Sequence, residues 1–478
     1  MRRKIFVNRE TELEFLESLW KKRGFSLVII YGRRRVGKTR LLREFARDKK
    51  AIYYVAAEAP YEILSSEFSN LVKKFFNIPI RGDIIEVLET IADLQEEKTL
   101  VILDEFQYVV EADQSFPSRL QRLIDQKLGE KNMMLVLCGS AVSFFEKKLL
   151  GYKSPLFGRR EASMKIRPLT FPQIKDFFPN YSIEELLTIY GIAGGVPAYL
   201  EKIDPMKSVE ENIRIIITPG HYLYDEAVNI LRQEVREPRT YFTILAMVAE
   251  GRNSPSELAS AARIDVRSIS KYIELLEELD ILRRVRPLGF KRPVKVLFKD
   301  NYFRFWFTYI YKLRSLLEIG YIDEAFSYIK ENLDQYISRI FEDTVVEIIP
   351  SLYRAGLIKT RPIQVGKWWY KNMEIDAIVR DPGKTTTYIE IKWRELTMEE
   401  AKEIVSKLEE KAVRTGLTSP KNYYVLITKQ ITDAEKLEID EHRRIIDLEM
   451  IGREVLGVTL DKNKNAQEIA VKTTKAVK

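Results

Sequence analysis

Two stretches of this 478-residue chain hold residues whose types and spacing could do chemistry. The first is Gly32-Arg33-Arg34-Arg35-Val36-Gly37-Lys38-Thr39, followed by Arg40, which fits the pattern G-x-x-x-x-G-K-[ST]. Glycines let a backbone wrap close to a phosphate, and loop amides leading into a helix aim their N–H groups at the anion. Lys38 would neutralise β- and γ-phosphate charge, and the Thr39 hydroxyl would ligate magnesium. The whole run Gly32–Arg40 is therefore the candidate cradle for a nucleoside triphosphate with Mg²⁺. A basic strand-to-helix turn that matches by accident is the plain alternative. The required context is nevertheless present: apolar Val28-Ile29-Ile30-Tyr31 before the loop and an amphipathic stretch after it.

Acids that could complete such a site stand at the end of Thr99-Leu100-Val101-Ile102-Leu103-Asp104-Glu105. A continuous apolar run is the mark of a strand buried on both faces of a parallel sheet, and ligands of open α/β sheets bind at the C-terminal edge of the strands. Asp104 would hold the metal and Glu105 would orient and polarise the attacking water. A further apolar run, Met133–Leu137, ends at Cys138-Gly139-Ser140, where the Ser140 hydroxyl could touch the γ-phosphate or that water.

The second stretch lies some 340 residues downstream. Glu374-Ile375-Asp376-Ala377-Ile378-Val379, the turn Asp381-Pro382-Gly383-Lys384 and Tyr388-Ile389-Glu390-Ile391-Lys392-Trp393 read as a hairpin. Period two puts Glu390 and Lys392 on one face, and cross-strand pairing brings Asp376 to them. Two carboxylates and a lysine at one place suit metal-assisted phosphodiester cleavage: the acids hold Mg²⁺, and the lysine orients water or stabilises charge. An ordinary hairpin whose solvent face happens to read Asp, Glu, Lys is the plain alternative.

Around these residues the chain reads as a multidomain α/β protein. Apolar content of 45% and charged content of 31% describe a globular chain, and no run reaches the roughly 18 apolar residues of a membrane span. The first ten residues turn polar too early for a signal peptide, so the expected location is cytoplasmic, with no membrane partner. One cysteine, Cys138, excludes an internal disulfide and a thiolate zinc cluster, and two histidines argue against histidine-rich metal sites. A net charge of +8 leans mildly toward a polyanionic partner. In the middle, the apolar helix Tyr241–Val248 is followed by the capping box Ser254-Pro255-Ser256-Glu257, then by a second helix capped at Asp265. Ile269, Ile273 and Leu276 share a face of that helix, and a hairpin rich in cations (Arg283, Arg284, Arg286, Lys291, Arg292, Lys295) follows. Such an order makes a winged helix-turn-helix, whose wing would contact DNA phosphates. Packing or protein binding by the same unit is the alternative. Aromatic Tyr302–Tyr311 reads as a buried helix between domains, and the basic tail from Lys462 as loosely ordered.

Taken together, Phe6–Leu13, Gly32–Thr39, Leu103-Asp104-Glu105-Phe106-Gln107, Cys138-Gly139-Ser140, Ser154–Arg160 and Gly194–Leu200 resemble the archaeal branch of AAA+/STAND-type P-loop ATPases. The resemblance implies that the nucleotide is ATP, that Phe6, Val7 and Arg9 lie beside the adenine and that Ser140 is the sensor. It sets Arg159 or Arg160 near a γ-phosphate, of this chain or of a neighbour's, and a helical lid carrying Pro197 over the base. A salt bridge to Glu161 is the plain alternative for Arg159. Ser140 stands where the family commonly has Asn. The C-terminal stretch resembles the PD-(D/E)XK nuclease fold, with Asp376, Glu390 and Lys392 at the D and E-x-K positions, Glu342 as the preceding helix acid, and Ile375 in place of the proline. The expected domains are a P-loop core with a parallel sheet (1–160), a helical lid (161–235), a winged helix-turn-helix (236–312), a nuclease-like α/β domain (313–460) and a basic tail (461–478). The function implied is an ATPase whose nucleotide state controls DNA-facing parts. A nucleotide-gated switch binding a protein partner, an ATP-gated nuclease and a homo-oligomer are compatible with the same residues.

Overall fold

In the computed structural model, residues 8–235, 237–433 and 439–457 are described. Phe6, Val7 and the basic tail lie outside them. The chain divides into two compact units, residues 1–169 with Val196–Ala198, and residues 170–195 with 199–478. No helix among the described residues is long and apolar enough to cross a membrane.

The first unit is built on a five-stranded sheet in the order β2-β3-β4-β1-β5, with every pairing parallel. Its strands are β1 (Ser26–Tyr31), β2 (Ala51–Val55), β3 (Thr99–Asp104), β4 (Met133–Gly139) and β5 (Ala162–Lys165). β1, β3 and β4 are apolar almost throughout because both faces are covered: Leu27 and Ile29 enter one core, Val28 and Ile30 the other. Helix α1 (Glu10–Trp20) packs Leu16 and Leu19 into the second of these cores. The expected boundary at 160 therefore falls short. β5 pairs with β1 from Val28–Ala162 to Tyr31–Lys165, so the sheet needs residues past 160 and its unit runs on to Leu169.

In the second unit, helices Pro238–Ala249, Pro255–Ala262 and Ile269–Glu278 precede an antiparallel hairpin of β6 (Leu282–Val285) and β7 (Lys295–Phe298). Ser254 and Glu257 form the reciprocal cap of the middle helix. The next helix begins later than expected. Asp265 accepts from the Arg267 amide (2.7 Å) in the preceding turn, and Ser268 occupies the cap position without a side-chain bond. Tyr302, Phe303, Phe305 and Trp306 are buried, as their pattern predicts.

A 33-residue helix, Ile322–Arg354, leads to a mixed sheet in the order β12-β11-β10-β9-β8. Its strands are β8 (Gln364–Tyr370), β9 (Met373–Asp381), β10 (Thr385–Leu396), β11 (Lys421–Ile431) and β12 (Arg443–Asp447). β8, β9 and β10 run antiparallel, and β10, β11 and β12 parallel. The parallel step from β10 to β11 needs a crossover, which helix Met398–Val413 supplies. That helix covers the Glu390 face of β10. The plain alternative put this face in solvent, whereas Glu390 on it is buried.

Candidate functional site

β1 delivers the Gly32–Thr39 loop and β3 delivers Asp104 and Glu105, with β4 standing between them. Helix α2 (Lys38–Ala46) starts at the loop's end, with Gly37 at its cap in a left-handed backbone (φ 97°). Gly32 is required for space: a Cβ there would sit 2.3 Å from the Ile166 carbonyl oxygen. Arg33 is buried, and Arg34, Arg35 and Arg40 are half-buried. Lys38 is buried, and its ammonium donates to the Gly32 carbonyl (2.7 Å) and the Arg33 carbonyl (3.0 Å) of its own loop. Burial draws its pKa down, while Cys138, Glu105 and Asp104 oppose that shift. Arg9, expected at the adenine, braces the loop. It donates to the Val36 carbonyl (3.0 Å) and the Arg167 carbonyl (2.7 Å) and pairs with Glu12 at 2.7 Å.

The loop and the strand acids meet directly. Thr39 Oγ1 donates to Asp104 Oδ2 at 2.9 Å, and the buried Asp104 receives a second donor at the same oxygen, the Tyr53 hydroxyl at 2.7 Å. Burial first, and then the Asp104 charge, push the Tyr53 phenol far above its ordinary pKa, so it stays a neutral donor. Glu105 follows in a left-handed backbone (φ 51°) that a glutamate rarely adopts. Its Oε2 receives the Ser140 hydroxyl (2.8 Å) and the Gln107 amide (2.6 Å). Ser140 thus touches Glu105 itself. The sequence reading gives Tyr53 no role and holds Gln107 only as the last residue of a family motif. Gln107 sits two residues past Glu105, which could have suggested the contact; Tyr53, on the neighbouring strand β2, gives no such signal. Hard oxygen donors 2.9 Å apart at Thr39 and Asp104 fit Mg²⁺, which these two residues would hold.

Arg159 is elsewhere. It forms a two-bond pair with Asp125 (3.1 and 3.0 Å), whereas Glu161 pairs with Lys22. The Glu161 amide meets the Leu27 carbonyl near the start of β1, roughly 16 Å of strand from the loop that follows Tyr31. The strand direction puts Arg159 at the sheet edge opposite this chain's own phosphate loop. Arg160 donates to the Leu150 carbonyl and lies over the Phe157 ring. Pro197 begins a short helix, and Val196–Ala198 group with the first unit although the flanking chain belongs to the second.

The C-terminal cluster is assembled from β9, β10 and two helices. Lys392 lies 2.9 Å from Glu390 and 3.8 Å from Asp376, and the Ile391 amide donates to Asp376 (2.7 Å). Burial first, and Glu390's charge second, push the Asp376 carboxyl up to about 6. Lys411, on the crossover helix, bonds both Glu390 oxygens (3.2 and 3.1 Å), and Lys367 pairs with Glu342 at 3.2 Å. Neither lysine figures in the sequence reading; on an amphipathic helix or a strand edge each looks like a solvated charge. Of the expected metal set, Glu390 meets Lys392 and Lys411, Glu342 meets Lys367, and Asp376 accepts from the Ile391 amide; among the described residues no group of three or more His, Cys, Asp or Glu is arranged to hold a metal ion.

The wing cations are also largely engaged. Arg283 pairs with Asp343 (2.7 Å), Arg284 with Glu277 (3.3 Å), and Lys295 covers the Trp369 ring (4.4 Å). Leu288 packs beside Trp368, and its amide donates to the Lys367 carbonyl. Arg286, Lys291 and Arg292 are exposed.

Comparison with known proteins places this architecture. Residues 6–203 match a family described as an ATPase domain predominantly from Archaea, and residues 306–404 match archaeal and bacterial proteins of unknown function. The uncharacterized protein MJECL04 of Methanocaldococcus jannaschii is 31% identical over 437 residues, spanning 90% of this chain and 97% of that one. The chain belongs to the same family as MJECL04, and its residues 6–203 match the archaeal ATPase domain. An uncharacterized ATP-binding protein of the same organism, MJ0423, is 56% identical to this archaeal ATPase over 46 residues, 10% of the chain and 78% of that protein. Among solved structures, a Walker-type ATPase of Pyrococcus abyssi aligns with a TM-score of 0.49 and 20% identity, covering 64% of this chain and 97% of that one.

Proposed function

We propose that this archaeal ATPase binds Mg²⁺-ATP in the Gly32–Thr39 loop and hydrolyses it, and that nucleotide state controls what the second unit binds. The observation that carries the reading is the meeting of Thr39 and Tyr53 on Asp104, with Glu105 beside them. Lys38 and the loop amides bind the phosphates, Thr39 and Asp104 hold the metal, and Glu105 orients water while Ser140 and Gln107 set its carboxylate. Bound Mg²⁺ would neutralise phosphate charge. Arg9 supports the loop, and Pro197 belongs to the lid. Lys38→Ala is expected to abolish ATP binding. Glu105→Gln is expected to bind ATP yet turn over about 10²–10³-fold more slowly, measured as steady-state phosphate release. Turnover at the wild-type rate would overturn the assignment of Glu105.

Three helices and a hairpin support a winged helix-turn-helix in the second unit, and Arg286, Lys291 and Arg292 offer it a cationic surface for DNA. If those three each meet a phosphate, log affinity should fall with log salt at a slope of about −3. A second reading is a nucleotide-gated switch for a protein partner, with a nuclease-like fold that does not cleave. The lysines on Glu390 and the engaged wing cations favour it. ATPase rate with and without duplex DNA at several salt concentrations separates the two: DNA stimulates the first and leaves the second unchanged. No cleavage of DNA is expected with Mg²⁺ or Mn²⁺. Cleavage lost on Asp376→Ala and Lys392→Ala would restore a live nuclease.

A further inference from the structure

Between Ser140 and β5 the first unit carries a surface feature that the nucleotide site does not use. Residues Phe145–Leu149 form a π-helical turn, a rare form that often marks a functional site. Phe145 and Leu149 are buried, and the Phe145 ring stacks almost flat on Tyr31 of β1 (centroids 5.8 Å, planes 5° apart), which fixes the turn to the sheet. The chain then folds back on this turn: a Cβ at Gly151 would sit 2.5 Å from the Lys147 carbonyl oxygen. Leu156 joins Phe145 and Leu149 in one core, and the Phe157 and Arg159 amides donate to the Ser154 and Leu156 carbonyls (3.1 and 3.2 Å). The loop is thereby held in shape from both ends.

What it holds out is aromatic. Tyr152 is 86% exposed, the most of any large apolar side chain among the described residues, and its ring meets that of Phe157 (centroids 5.5 Å, planes 63° apart), which is 39% exposed. Arg160 lies 4.9 Å from the Phe157 centroid, its guanidinium donating to the Leu150 carbonyl (3.3 Å). One exposed ring is ordinary; a pair in contact, backed by an arginine, is a built surface. The charge around it is positive. Glu146 pairs with Lys165, Glu161 with Lys22 and Asp125 with Arg159. Lys148 lies over the Phe144 ring (5.9 Å) and Lys153 follows Tyr152 directly, both exposed and, among the described residues, without a carboxylate partner. Exposed cations lose little by standing unpaired in water, so what they set is the sign of the partner. Protein interfaces favour Tyr, Phe and Arg but are poor in lysine. Lysines beside an open ring suit a chain of phosphates that carries bases. A duplex keeps its bases stacked on one another, so only a single strand can lay one on Tyr152.

We propose that Tyr152 and Phe157 form a stacking platform for single-stranded nucleic acid, whose phosphates Lys148 and Lys153 meet. The open face of Tyr152 takes a base, and Phe157 with Arg160 behind it holds the ring in place. DNA and RNA strands offer the same rings and the same phosphates.

The test uses full-length protein carrying Arg286→Ala, Lys291→Ala and Arg292→Ala, so that the wing does not contribute, and omits ATP, so that hydrolysis plays no part. Labelled oligo(dT), labelled oligo(U) and an oligo(dT)·oligo(dA) duplex are titrated by fluorescence anisotropy between about 50 and 200 mM salt. Saturable binding of a single strand is expected, with the duplex weaker. Preference for oligo(dT) or for oligo(U) tells DNA from RNA. Tyr152→Ala should weaken binding about five- to hundredfold, the loss of one stacked base, whereas Tyr152→Phe keeps the ring and should stay within about twofold. Tyr152 stands almost wholly in water, so neither change should move Tm. Lys148→Ala with Lys153→Ala should flatten the slope of log affinity against log salt by about 1.4, the share of two phosphates. No saturable binding of either strand up to about 100 μM protein, a duplex bound as tightly as the single strand, or an affinity indifferent to Tyr152→Ala would each overturn the proposal. So would a dimer in sedimentation that Tyr152→Ala abolishes and no oligonucleotide displaces, since a second copy would then cover this face.

Discussion

At the scale of single residues, the nucleotide site is a short relay of hydrogen bonds. Asp104 Oδ2 accepts from Thr39 and Tyr53, and Glu105 Oε2 accepts from Ser140 and Gln107. In the proposed function, phosphate affinity rests on the loop amides and Lys38, whereas Tyr53 bonds to Asp104. Tyr53→Phe should therefore leave ATP affinity within about twofold and lower kcat about three- to tenfold, the loss of one hydrogen bond to a charged group. Parallel measurement of Kd and kcat checks this, and a change in Kd alone would mean that Tyr53 shapes the loop instead. Lys38, Thr39, Asp104 and Glu105 were legible in the sequence because their chemistry dictates both residue type and spacing. Tyr53 was not, since a tyrosine in an edge strand reads as one more amphipathic β residue until strand order sets β2 beside β3. Arg159 poses a related problem: sequence could not choose between this chain's own γ-phosphate and a neighbour's. A local motif carries no record of which end of the sheet it will occupy, and β5 turns out to begin near the start of β1.

Among the elements, two joints can be tested. The first is the turn from β1 into α2, where Gly32 has φ 153° and faces the Ile166 carbonyl. Gly32→Ala should abolish nucleotide binding and lower Tm, because the added Cβ must displace backbone that follows β5 rather than a flexible side chain. Nucleotide titration and thermal unfolding report the two effects. The second joint is Asp343, on the long helix, which ties Arg283 of the hairpin to Arg304 and Lys367. These charges hold one another well: neighbouring cations keep the Asp343 carboxyl below its usual range, and the Asp343 charge keeps Arg304 above its own. Asp343→Ala leaves cations buried without their counter-ion and should cost about 3–5 kcal/mol in chemical denaturation. Helix caps such as Ser254 with Glu257, the hairpin and the buried aromatic run were readable from pattern. Which wing cations turn inward was not, because an arginine in a period-two strand looks the same whether it meets a phosphate or Asp343.

For the whole molecule, the sequence separates an ATPase part from a C-terminal α/β part, and the structure joins the middle helices and the mixed sheet in one unit. What pattern could not supply is the cover over β10: the crossover helix buries Glu390, and Asp376 is buried beside it. That burial has a consequence for pH. In the fold the Asp376 carboxyl is pushed up to about 6 from an ordinary value of 3.8, by burial first and by Glu390's charge second. Between these values the native state keeps a proton that the unfolded chain releases. The contribution of Asp376 is therefore most favourable below about pH 4 and is lost as pH rises through about 6. Asn cannot titrate and keeps an acceptor for the Ile391 amide, so Asp376→Asn removes this dependence. Relative to the unmutated protein, the variant should gain stability as pH rises from about 4 to about 8, by at most about 3 kcal/mol. The attraction to Lys392, 3.8 Å away, is already contained in the value of about 6. Urea unfolding of both proteins across this range measures the difference directly. A flat difference would show that Asp376 meets water as freely in the fold as in the unfolded chain, and the lysine-closed cluster around Glu390 would have to be open.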